Sequence, residues 1–295
     1  MPVFALALAF ASGASAQESL RAASDRAFSA AGAVHIRPFA QAPRAPLAPP
    51  APPSVCSGLD FSGVTWPGSM TFEDKLALML ALNISGSFEG GDGWGNLTDD
   101  FDGQGVSLGL LNQNLGQGSL QPLLVKMRDK HPSVLANVFS PAHLTSLLGM
   151  LAAWQPPPAG STPPLNPNNR LDEPAPGATI QMSPAASAGV AWARQNLYVA
   201  GKFDTVWKAE LTAMALTPEY VSLQIAAATW LHEQAVAEQA SIAIRELRAY
   251  LMMFDVAVQN GGLYDADVTD YNAWLKANPG VSNMRRLEKI RDLRL

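Results

Sequence analysis

The sequence predicts an α+β fold that is predominantly α. Apolar residues recur at helical spacing through Thr71–Glu89 and again from Ala185 onward, and a glycine-rich stretch between residues 95 and 115 interrupts them as a small hairpin sheet would. With 295 residues, 48% of them hydrophobic, the chain has material for one core domain of about 240 residues.

In chain order, Pro2–Phe10 is a short apolar run ending at Ala14-Ser15-Ala16, so residues 1–16 read as a signal peptide whose basic n-region is missing. The expected location is secreted or periplasmic. Residues 17–53 are rich in Ala and Pro and end in Pro46-Leu47-Ala48-Pro49-Pro50-Ala51-Pro52-Pro53, an extended linker or pro-segment. The domain is expected over residues 54–295. Its single cysteine, Cys56, excludes an intramolecular disulfide.

Thr71-Phe72-Glu73-Asp74 is a variant capping box, and Phe72, Leu76, Met79, Leu80, Asn83 and Ile84 continue the helix it opens. Ser119 to Lys130 forms the next helix, with Ser119 as cap and Pro122 in the first turn. Residues 155–184 carry many of the prolines and form an irregular insertion. Helical spacing then runs through Ala188–Tyr198, Phe203–Leu216, Pro218–Glu238, Ala240–Gln259 and Val268–Ala277, and a basic terminal helix spans residues 284–295. Asn260-Gly261 reads as a helix C-cap, and Asp265, Asp267 and Asp270 as caps of the helix that follows.

Two carboxylates stand out. Glu89 falls at the end of the first helix, where the negative end of the helix dipole and the neighbouring Phe88 favour a protonated acid. Asp102 lies in Phe101-Asp102-Gly103-Gln104-Gly105, a loop too open to bury it and rich in backbone donors, which favours the ionised form. An acid and a base kept apart in this way are what cleavage of a glycosidic bond uses. The alternative is a solvated or calcium-binding loop of Asp92, Asp99, Asp100 and Asp102, although an EF-hand register counted from Asp100 would put Leu111 where a bidentate Glu is needed.

Glu89, then Asp102-Gly103-Gln104-Gly105-Val106-Ser107-Leu108-Gly109, resembles the active-site segment of chitosanases of the lysozyme superfamily, and Gly109-Leu110-Leu111-Asn112 is similar to the Gly-Leu-Met-Gln strand of lysozymes and lytic transglycosylases. The resemblance covers about 45 residues. It implies a lysozyme-like fold with a hairpin sheet beside a helical lobe, Glu89 as general acid, Asp102 as general base and Ser107 in the place of a water-positioning threonine. Lysozyme-like enzymes also use amides to bind sugars, which makes Gln113 and Asn114, with Asn112, candidates for the near wall of a cleft, and Gln259 and Asn260 for the far wall. Trp94, between the carboxylates, is a candidate sugar-stacking ring, with core packing as its alternative. Val106 and Asn112 depart from the family pattern, and the interval from Glu89 to Asp102 is shorter than in the chitosanases.

The expectation is a glycosidase acting on β-1,4-linked amino-sugar polymers, peptidoglycan before chitosan. The alternatives are a chitosanase, a lytic transglycosylase using Glu89 alone, and a non-catalytic cell-wall-binding module. The formal charge of −5 gives no case for nucleic acid, and no long uncharged run suits membrane insertion. A monomer without cofactor or metal is expected. His131, His143 and His232 are scattered, and His232-Glu233 lacks the second histidine of a zinc-protease helix, so they read as capping or surface residues.

Overall fold

A computed structural model describes residues 58–89, 92–154 and 183–294. The signal-peptide and linker readings, Cys56 and most of the proline-rich insertion lie outside the described residues, which all fall within one compact unit, Val55–Leu295. Among them the protein is mostly helical, with a small antiparallel sheet. No described helix is long and apolar enough to cross a membrane.

Helix α1 (Phe72–Glu89) starts where the sequence predicts. The backbone N–H of Thr71 donates to Asp74 Oδ2 at 3.1 Å, and the Asp74 N–H donates to Thr71 Oγ1 at 3.1 Å, so both ends of the capping box close. Strands β1 (Leu97–Thr98), β2 (Ser107–Leu108) and β3 (Gln113–Asn114) form an antiparallel meander in which Thr98 faces Ser107 and Ser107 faces Asn114.

Helices α2 (Gln121–Lys130), α3 (Pro132–Val138) and α4 (Pro141–Ala153) follow, then α5 (Pro184–Asn196). Each carries proline in its first turn, where the missing N–H needs no partner. The same reading extended to Pro132 and Pro141 would have located α3 and α4, which the periodicity alone does not predict. Helix α2 begins two residues later than expected because Ser119 does not cap it: its hydroxyl accepts the Asn114 N–H at 2.9 Å.

A short hairpin, β4 (Tyr198–Val199) and β5 (Lys202–Phe203), precedes α6 (Thr205–Ala215), α7 (Pro218–Ser241), α8 (Leu247–Asn260), α9 (Asp265–Ala277) and α10 (Asn283–Arg294). The predicted helix Ala240–Gln259 is interrupted. Ile242 and Ile244 are buried, Ala243 takes a φ of 52°, and the Ile242 carbonyl accepts from Tyr271 Oη and Arg286 Nη2, partners supplied by α9 and α10. These long-range donors stabilise a break that local spacing does not signal.

The core joins both halves of the chain. Leu108, Leu115 and Leu120 from the sheet region pack with Leu123, Met127, Leu135, Leu147, Trp207 and Tyr220 from the helices. His232 belongs to the interior and not to the surface: its Nδ1 lies 2.9 Å from Tyr250 Oη and its Nε2 3.5 Å from Asp74 Oδ1. Burial pushes its imidazole below the usual histidine range.

Candidate active site

The end of α1 is fixed on two sides. Near the helix starts, Asp74 of α1 and Tyr250 of α8 face the same His232 ring, and farther along Ser85 donates to Asp255 Oδ1 at 3.1 Å. Helices α1 and α8 therefore run in the same direction, and their C-terminal ends, carrying Glu89 and Gln259-Asn260, lie at one end of the pair. Ser85 and Asp255 are each one turn earlier and both buried.

The second fixing is to the β2–β3 turn. A Cβ added at Gly86 would sit 2.3 Å from Leu110 Cδ1, so glycine lets the turn press directly onto the last part of α1. Gln224, buried on α7, holds the same turn: its Oε1 accepts the Leu110 N–H at 2.9 Å while Nε2 donates to the carbonyls of Trp94 and Ala215 at 3.4 and 3.3 Å. Gln224, Ser85 and Asp255 were not among the predicted site residues. A lone acid inside the apolar run Met252-Met253-Phe254-Asp255-Val256 was the available signal for Asp255.

Behind the site, α8 ends at Gly261, whose φ of 74° and N–H bond to the Ala257 carbonyl make the expected C-cap. From α7, Gln234 Nε2 donates to the Gly261 carbonyl, and Glu238 Oε1 accepts the Leu263 N–H at 3.1 Å. Burial pushes the Glu238 carboxyl up to about 6, against the lowering pull of the Gln234 amide and the Leu263 N–H.

Asp102 lies on the β1–β2 loop. It is exposed, and its Oδ1 accepts the Gln104 N–H at 3.1 Å, the open setting with a backbone donor that its sequence context predicts. The loop is built around Asp100, whose Oδ1 accepts the Gly105 N–H at 2.6 Å and whose Oδ2 pairs with Arg194 Nε of α5 at 2.5 Å. Tyr198 Oη donates to the Gly105 carbonyl at 2.8 Å. Gly103 and Gly105, with φ of 81° and 83°, allow the tight path. Asp100 is thus the ion-pair partner around which the loop is built, and among the described residues no group of three or more His, Cys, Asp or Glu could hold a metal ion.

Several predicted sugar-binding residues are used elsewhere. Trp94 is 6% exposed, its Nε1 donates to the Asp60 carbonyl at 3.0 Å and Phe61 packs edge-on at 5.5 Å, so it is a core ring and not a stacking platform. Asn114 is buried: Nδ2 reaches the Asn112 carbonyl and Oδ1 accepts the Gln117 N–H, which makes it the organiser of the β3–α2 turn. Gln113 is buried too, its Oε1 without a hydrogen-bond partner beneath Gly109, and neither residue forms a cleft wall. Asn112 is half-buried with a φ of 52°, a conformation that asparagine tolerates, and its Oδ1 accepts from Asn96 Nδ2 at 2.8 Å. Ser107 is buried in the central strand. Gln259 is half-buried in the last turn of α8.

Comparison of the chain with protein-family models, with curated proteins and with solved structures gives no match.

Proposed function

We propose that the protein is a glycoside hydrolase acting on a β-1,4-linked amino-sugar polymer, peptidoglycan before chitosan, with Glu89 as general acid and Asp102 as general base. The observation that supports the reading is the seating of the β2–β3 turn on the last part of α1 through Gly86 and Leu110, which brings the C-terminal end of that helix beside a small sheet whose other hairpin loop carries an exposed carboxylate. The resemblance of Glu89 and Asp102–Gly109 to the chitosanase segment supports the same pair.

The two turns stand at opposite ends of β2. Asp102 is read as a base acting through a water because the resemblance to the chitosanase segment implies that role. Asp102 would take the proton of the attacking water while Glu89 donates to the leaving oxygen.

The decisive experiment is product analysis on purified peptidoglycan and on chitosan, comparing wild type with Glu89→Gln and Asp102→Asn. Each substitution is expected to lower release of reducing ends at least about a hundredfold. Loss with Glu89→Gln alone, together with anhydro-muropeptide products in mass spectrometry, would replace hydrolysis by a lytic transglycosylase reaction. No release from either polymer by wild type, with pelleting on sacculi unaltered by Glu89→Gln, would leave a non-catalytic wall-binding module.

A further inference from the structure

The β1–β2 loop presents Phe101 with 79% of its surface exposed, directly beside the exposed Asp102. A single apolar residue in water is ordinary on a protein surface. The setting of this one is not. Its loop is tied down by the Asp100 carboxylate, which accepts the Gly105 N–H and pairs with Arg194, by the Gly103 N–H bond to the Asp100 carbonyl, and by Tyr198 Oη on the Gly105 carbonyl. So fastened, the segment holds the ring outward. The Arg194 side chain keeps 55% of its own surface exposed while Nη2 lies 3.4 Å from the Gly103 carbonyl. The loop thus carries an exposed aromatic ring next in sequence to an exposed carboxylate, and the part-exposed Arg194 side chain bonds to the loop at Asp100 and Gly103.

That combination matches a pyranose ring, whose C–H face lies flat on an aromatic ring and whose hydroxyl or amino groups bond to planar charged groups at its edge. We infer that Phe101 is the aromatic platform for one sugar residue of the polymer, with Asp102 and Arg194 at the sugar's edge. The inference rests on the glycosidase reading and assigns to Phe101 the stacking role that the sequence offers to Trp94.

The test uses Phe101→Ala, Phe101→Leu and Phe101→Trp in the full chain, assayed on soluble chitosan and solubilised peptidoglycan and by pelleting with sacculi. The ring is exposed, so all three variants should melt at the wild-type temperature. Loss of the flat face in the Ala and Leu variants is expected to raise KM about tenfold on the polymer that wild type cleaves, with a much smaller change in kcat, and to reduce pelleting; the Trp variant should keep the wild-type KM. An unchanged KM and unchanged pelleting in Phe101→Ala would overturn the platform while leaving the glycosidase intact. A tenfold rise in Phe101→Trp equal to that in Phe101→Ala would also overturn it, because a larger aromatic face should serve. Absence of both turnover and pelleting in wild type would remove the glycosidase reading, and the platform with it.

Discussion

The amide of Gln224 serves three backbone groups from three segments: the Leu110 N–H of the β2–β3 turn, the Trp94 carbonyl and the Ala215 carbonyl at the end of α6. Replacing it with leucine strands all three in the interior. Gln224→Leu should therefore destabilise the protein by about 2 kcal/mol or more in urea unfolding, since each stranded buried group costs about 1–3 kcal/mol. A loss under about 0.5 kcal/mol, the range of an ordinary surface change, would contradict that role. Nothing in the sequence separates Gln224 from a solvent-facing glutamine on a helix, because its partners lie 9, 114 and 130 residues away. Asn112 and Trp94 misled in the opposite direction. Both sit in a polar, glycine-rich stretch that reads as surface, yet one is required by the backbone conformation of a turn and the other is enclosed by Phe61 and the Asp60 carbonyl.

Gly86 is where the last part of helix α1 meets the β2–β3 turn. Gly86→Ala would drive a methyl group into Leu110, and the overpacking should cost about 1–3 kcal/mol even though alanine favours a helix. If α1 must press on the β2–β3 turn for activity, this variant also loses turnover at temperatures where it is still folded, which far-UV circular dichroism and the product assay can follow together. A melting temperature equal to or above wild type would show that the contact yields easily. At this scale the sequence was informative wherever the signal is local. The Thr71–Asp74 box, the three-stranded hairpin region and the Gly261 cap all follow from neighbouring residues. The break at Ile242–Glu246 and the packing of α1 on α8 depend on residues far along the chain, so spacing alone could not reveal them.

Across the whole molecule, the buried His232 and the half-buried Glu238 give opposing pH dependences. His232 has its pKa lowered from 6.5 by burial, so the unfolded chain takes up that proton first and stability falls as pH drops below about 6.5. Glu238 is raised from 4.5 to about 6, so the folded chain binds that proton first, and stability rises as pH drops from about 6 towards 4.5. Glu238→Gln removes the second effect. Thermal melts between pH 4 and 8 should show the variant more stable than wild type at neutral pH, with the difference shrinking below pH 6. Parallel curves for the two proteins would rule out a burial-raised carboxyl at this position.

The hydrogen bond between Ser85 and Asp255 joins residues 170 apart in sequence. Closing so long a loop has to follow the formation of local helices and hairpins, because its entropic cost is repaid only when the two ends dock. During synthesis α1 leaves the ribosome long before α8 exists, so the Ser85 hydroxyl and its carboxylate partner meet only after most of the intervening chain has been made. The junction of α1 and α8 is therefore timed by folding itself: the nascent chain carries the first helix but not its partner, and the Ser85–Asp255 contact forms only when the two helices have docked.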